Sequence, residues 1–108
     1  MLEKLLQPND EFERCGLVLK DGSAVEISNI AQNARTSYEM KTSEVLPHLE
    51  DVVGTWHTHP ISDPALSGED HVGFLAWPNW KHWIIGIRDN KVAVECYEIV
   101  DGVLMPCA

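Results

Sequence analysis

The chain has no apolar run near the roughly 18 residues that a membrane-spanning helix needs, although 44% of its residues are hydrophobic. That absence predicts a soluble protein without a membrane partner. Basic residues are scarce: 8 Lys and Arg stand against 17 Asp and Glu, a formal net charge of -9. Phosphate-backbone binding is driven by Lys and Arg, so the deficit argues against a nucleic-acid partner. It suits a bound cation or a basic partner surface, but the acid is spread along the chain as on a solvated surface. Cysteine is sparse as well. Cys15, Cys96 and Cys107 are an odd number with no CxxC spacing, which predicts no disulfide framework and a reducing, cytoplasmic setting. Cys15 and Cys96 lie in apolar runs and are expected as small core residues. Repeats, low-complexity tracts and linkers are missing, and MLEKLLQPND is too short and charged for a secretion signal. One domain over residues 1–108 is the expectation.

What is present reads as alternating strands and helices. Residues 2–6 suggest a short helix ended by Pro8. Residues 16–20 and 24–30 read as strands joined at Asp21-Gly22, and 31–42 as loop. A helix is expected from Ser43 as N-cap with Pro47 in its first turn, its apolar stripe being Leu46, Leu49, Val52 and Val53. Residues 52–59 read as a strand, PISDPAL as a loop, and 67–77 as a helix stopped by Pro78. Strands over 81–89 and 91–100 meet at Asp89-Asn90, and Asp101-Gly102 makes a last turn. The fold class is α/β (α+β): a mixed or antiparallel sheet flanked by a few helices.

The stretch GTWHTHPISDPALSGEDHVGF, residues 54–74, carries the chemistry. Strand side chains alternate, so His57 and His59 share a face and Thr58 takes the other. Two imidazoles at a strand end can share a cation. If Ser67 caps the next helix, Asp70 falls in its first turn, close to the cap, and is placed to be a third ligand. Two histidines and a carboxylate leave one position of a tetrahedral zinc open for water, as in a catalytic site. Neither HxH nor SxxD is specific alone, and SxxD is also a capping pattern; the specificity lies in the combination. A general base is then needed. Asp63 and Glu69 are local options, but Glu13, directly before a buried-looking strand, has no packing reason to be acidic there.

ERCGLVL followed by HTHPISDPALSGED resembles the JAMM (MPN-plus) metalloprotease motif: a glutamate before a CG-type strand, H-x-H-P, seven residues, then S-x-x-D. The resemblance implies an MPN-like fold with Zn²⁺ held by His57, His59 and Asp70. It implies Glu13 as general acid/base, with Glu11 a neighbouring competitor, and Ser67 as donor to the oxyanion. Hydrolysis of an amide or isopeptide bond in a peptide or protein substrate follows from it. EISNIAQNARTSYEM and WKHWIIGIRD are further similar to the JAMM domain of bacteriophage tail-tip assembly proteins, which is often followed by an NlpC/P60-type domain absent before Ala108. That likeness implies tail-assembly partners; enzymes acting on ubiquitin-like sulfur carriers are the other prokaryotic type. The alternative to an enzyme is a non-catalytic assembly module on the same fold. A zinc deaminase is rejected because it needs a PCxxC pair.

Among the remaining residues, Trp56 is expected in the core and Trp83 buried. Trp77 and Trp80 are expected to pack beneath the last helix, with a groove-lining role as the alternative. His48, His71 and His82 lack ligand spacing and read as surface histidines.

Overall fold

The computed structural model describes residues 2–7 and 9–107. Its middle strand is β3, Val52–Thr58, where every residue but Val53 is buried. A strand covered on both faces needs a partner on each edge and a layer on each side. β1 (Cys15–Leu19) pairs antiparallel with one edge, and β4 (Lys81–Arg88) runs parallel along the other. β2 (Ala24–Ile27) lies outside β1, while β5 (Lys91–Val100) and β6 (Val103–Pro106) continue beyond β4. The result is one mixed six-stranded sheet in a single α/β body, as the sequence predicts. The parallel step needs a crossover, and α2 (Gly68–Leu75) lies within it. Asp89 and Asn90, then Asp101 and Gly102, have positive φ in both central positions, the backbone a tight two-residue hairpin requires.

One face of the sheet buries Leu6, Val18, Trp56 and Ile85, with Leu2 and Leu5 of a 3-10 helix, Leu2–Leu5, packed against them. Pro8, expected to end that helix, lies outside the described residues. Trp56 is fully buried, which removes about 200 Å² of largely apolar surface and is worth roughly 5 kcal/mol before entropy. It fits because position 16 is glycine: a Cβ there would come within 2.5 Å of the indole Nε1. The opposite face buries Leu17, Ile27 and Val52, with Met40, Val45 and Trp80 against them.

Several boundaries differ from expectation. β2 stops at Ile27, and Asn29 makes an isolated bridge to Met40 within the expected loop. The helix expected from Ser43 is one α-turn, α1 (Thr42–Val45), whose N-cap is Lys41 without a side-chain cap; Ser43 lies inside it. It tightens into a 3-10 segment, Leu46–Asp51, with Pro47 in the first turn. Three residues per turn line Leu46 with Leu49, and both stay largely exposed instead of forming a buried stripe. α2 ends at Leu75, short of 77.

The cysteine reading is corrected outright. The β5–β6 register sets Tyr97 opposite Pro106, which brings Cys96 opposite Cys107, and the two form a disulfide. Cys96 is therefore no free core residue, and the reducing compartment inferred from unpaired cysteines loses its ground. Cys15 is free and buried as expected. Among the described residues no helix is long and apolar enough to cross a membrane.

Candidate metal centre

The end of β3 and the start of α2 meet over one face of the sheet. His57 is wholly buried and His59 nearly so. Thr58, pointing oppositely, accepts from the Arg14 amide at 2.9 Å and donates its own amide to the Arg14 carbonyl at 2.9 Å. These bonds carry the β1–β3 pairing past Cys15 and bring Glu13 to the histidines: donor atoms of Glu13, His57 and His59 lie within 4.8 Å of one another. On the α2 side, Ser67 is the N-cap. Its hydroxyl accepts from the Asp70 amide at 3.0 Å, and Asp70 Oδ2 accepts from the Ser67 amide at 3.3 Å, a closed capping box. The same carboxylate reaches His57 Nε2 at 3.1 Å and His59 Nε2 at 3.3 Å, while the two Nε2 atoms are 3.2 Å apart.

Two observations test whether this set suits a cation. A tetrahedral zinc with bonds of about 2.0 Å has ligand–ligand edges of about 3.3 Å, close to the 3.2 Å between the two imidazole nitrogens and to the contact each makes with an Asp70 oxygen, Oδ1 for His57 and Oδ2 for His59. The proton count agrees. His59 Nδ1 lies 2.9 Å from the Asp63 carbonyl, which can only accept, so Nδ1 carries a hydrogen and Nε2 is the nitrogen that can give up its proton to face a cation. Nε2 faces a carboxylate oxygen and a second imidazole. A cation would take the place of the proton that Asp70 draws onto His59.

The signature of prokaryotic homologs of the JAB domain matches residues 4–99. A desampylase of Haloferax volcanii is 33% identical over 96 residues, covering 77% of this chain and 68% of that protein. A desampylase of Pyrococcus furiosus is 28% identical over 111 residues, with 81% and 79% covered. The chain belongs to the prokaryotic JAB family. A solution structure of a Desulfitobacterium hafniense protein shares the fold with a TM-score of 0.67 at 24% identity, over 96% of this chain and 79% of that one. One from Salinibacter ruber gives 0.57 at 21%, over 93% and 77%.

Within this JAB domain the electrostatics divide the cluster. Burial pushes the Glu13 carboxyl up to about 7, opposed by His59 and aided by Asp70 and Glu69. Burial likewise works against the charge on Asp70, but hydrogen bonds with His57 and His59 outweigh it and hold the carboxylate ionised. His57 is held below its ordinary value by burial. For His59 burial is again the largest effect, yet the bonds to Asp70 and to the Asp63 carbonyl prevail and raise it.

The other sequence candidates fall elsewhere. Glu11 is exposed and lies 3.7 Å from Arg35. Asp63 is tied up by Arg88, and Glu69 accepts from Ser37 Oγ at 2.9 Å. His71 is exposed as expected, and His48 is partly exposed. His82 is a correction: it is buried, with Nε2 donating to the Trp77 carbonyl at 3.1 Å, Nδ1 2.8 Å from Thr55 Oγ1, and its ring stacked on Phe74. Trp77 is half exposed and stacks on Trp80; both line a groove beside the cluster, while Trp80 also packs against Leu17, Ile27 and Val52.

Sequence reasoning missed three supports. Tyr38 stacks on the His57 ring at 4.3 Å. Asn29 fills its hydrogen-bonding capacity, donating to the carbonyls of Glu13 and Ser37 and accepting from the amides of Ala31 and Glu39. It thereby clamps the Glu13 backbone to the loop that carries Tyr38. Arg88 holds Asp63. Asn at a strand end is a weak turn signal; Tyr38 and Arg88 carried none, since each acts across the fold.

Proposed function

We propose that the protein is a zinc-dependent isopeptidase or peptidase, with the whole chain as one catalytic domain. Its substrates would be conjugates of a ubiquitin-like modifier, as the name of its desampylase relatives suggests. The observation that carries the reading is the pair of His57 and His59 Nε2 atoms 3.2 Å apart, each within 3.3 Å of one oxygen of the Asp70 carboxylate, beside a buried Glu13. His57, His59 and Asp70 would hold the zinc. When bound, zinc supplies Lewis-acid polarisation of a carbonyl and acidifies water. Glu13, with a pKa near neutrality, is suited to take a proton from the attacking water and return it to the leaving amine. Ser67 Oγ accepts from the Asp70 amide with one lone pair, and its hydroxyl hydrogen is the group that would serve the developing oxyanion. A role in phage tail assembly rests on sequence likeness alone.

Metal analysis of the purified protein, with cleavage of an isopeptide-linked modifier conjugate, tests the proposal. Glu13→Gln should retain zinc and lose at least about a hundredfold in rate. A chain that takes up no zinc under excess metal would overturn it.

A further inference from the structure

β6 is the outermost strand, and among the described residues its only strand partner is β5. Four residue pairs join the two, from Tyr97–Pro106 to Val100–Val103. So short an edge strand belongs to the low end of local stability. The Cys96–Cys107 disulfide closes the end of this ladder that lies away from the turn. Beside it the Cys107 amide donates to the Cys96 carbonyl at 2.9 Å. Both cysteines are half-buried, so a thiolate in solution can reach the bond. What this end of the ladder supports gives the disulfide its interest. Tyr97, next to Cys96, points to the opposite face of the sheet. There its ring centre lies 6.3 Å from that of Phe74 on α2. Its hydroxyl reaches the backbone of Leu66, the residue before the N-cap Ser67. Pro106 stands opposite Tyr97 and shares its face. α2 thus rests on β5 and β6 together.

We propose that the Cys96–Cys107 disulfide is a redox latch on the seat of α2: oxidised, it holds β6 against β5 and Asp70 over the histidines; reduced, it frees β6 and weakens zinc binding. The inference rests on the proposed zinc centre and adds a regulation to it. The reductant is a protein dithiol of the thioredoxin class. One of its thiolates attacks a sulfur, which breaks the Cys96–Cys107 bond and forms a mixed disulfide; its second thiol then displaces that one. Two electrons pass from the dithiol, which leaves as a disulfide, and its two protons end on Cys96 and Cys107. The bond joins positions 11 apart in sequence, so it removes most of the freedom that β6 would gain on leaving β5. Once it is broken, only the ladder bonds hold β6, and β6 is part of the floor of α2. α2 carries Asp70 and has only eight residues, so it depends on that floor more than on its own turns. Zinc meets a complete site only in molecules whose α2 is seated, and its apparent affinity falls with that fraction.

One redox cycle of the intact chain tests the latch. Thioredoxin with its reductase and NADPH should reduce the folded protein, seen as Cys96 and Cys107 becoming open to iodoacetamide while Cys15, buried in β1, stays unreactive. After the reductant is removed without air, the reduced protein should bind zinc about tenfold more weakly than the oxidised one in a chelator competition, as with about a tenth of the molecules seated. Reoxidation should restore the affinity. The Cys96→Ser, Cys107→Ser double variant, which lacks thiols that could themselves take zinc, should show the weaker value in both buffers. Without zinc, amide exchange should quicken in β6 and α2 on reduction and stay unchanged in β1 and β3. That comparison uses the wild type alone and holds whether or not the serine variant folds. Equal zinc affinity in the two redox states, exchange that quickens in β6 but not in α2, or a disulfide that thioredoxin opens only in denaturant would overturn the latch. If the oxidised protein takes up no zinc, the metal reading falls, and exchange in α2 alone then decides the latch.

Discussion

The guanidinium of Arg88 bonds both oxygens of Asp63, at 2.8 and 2.9 Å, and reaches Glu95 at 2.7 Å. The backbone carbonyl of that same Asp63 takes the Nδ1 hydrogen of His59. Arg88 therefore fixes the carbonyl that fixes the tautomer, which turns the Nε2 lone pair toward the cluster. Arg88→Ala should weaken zinc affinity by about 10- to 100-fold in a chelator competition. The metal-free unfolding midpoint should barely move, since exposed ion pairs contribute little. Arg88→Lys should recover only part of the affinity, because an ammonium cannot grip both carboxylate oxygens. His82 gives a second prediction at this scale. Burial holds it below its ordinary pKa, so the unfolded chain takes up the proton first as pH falls. Its contribution to stability is complete above about 6.5 and is lost as pH drops from there toward the folded value. Urea midpoints from pH 8 to 5 should fall less steeply for His82→Gln than for the wild type. The residual slope combines His57, shifted the same way, with Glu13 and His59, which are raised and act in the opposite sense. Parallel slopes would mean that His82 titrates alike in both states.

Ser67 combines a structural duty with a proposed chemical one, and the short α2 makes them separable. With only eight residues, Gly68–Leu75, the helix depends on its N-terminal bonds. Ser67→Ala removes the cap and should cost about 1 kcal/mol, which lowers the thermal midpoint by several degrees in a domain of this size. Ser67→Asp keeps a good cap but carries no hydroxyl hydrogen and adds a negative charge. It should retain the wild-type midpoint in metal-free protein and still lose activity. Full activity in Ser67→Asp would confine Ser67 to capping. The loop between β3 and α2 depends on Gly86 in β4, where a Cβ would come within 2.5 Å of the Ser62 carbonyl oxygen and 2.7 Å of the Pro64 nitrogen. What was legible in the sequence follows from such locality. HxH shows its shared face through the strand period, and SxxD shows Asp70 through the cap; both are properties of a few consecutive residues. The disulfide depends on the β5–β6 register, and the burial of His82 on Thr55, 27 residues away, and on the Trp77 carbonyl. A polar residue in a strand reads as exposed until its partners are known. Leu46 and Leu49 misled for the converse reason: apolar periodicity implies burial, but here it lines an open groove.

Across the whole molecule the cluster draws on elements that the chain visits far apart. Glu13 comes from the lead into β1, His57 and His59 from the end of β3, and Asp70 from α2. None of these elements holds the others' donors in place by itself. Asn29 ties Glu13 to the loop of Tyr38, and Thr58 ties Arg14 to β3. A cation that binds the native arrangement and not the unfolded chain stabilises the fold. At a hundred times its dissociation constant, zinc should stabilise the domain by about 2.7 kcal/mol. For a chain of 108 residues that corresponds to a rise of roughly 10 °C in the unfolding midpoint. EDTA should reverse it. Asp70→Ala should abolish the shift, because it deletes the carboxylate that reaches both imidazoles. His71→Ala, next in sequence but exposed, should keep it whole. A midpoint that ignores zinc in the wild type would mean that these elements converge for packing and not for an ion, and a shift that survives in Asp70→Ala would move the site from Asp70 to Glu13, His57 and His59.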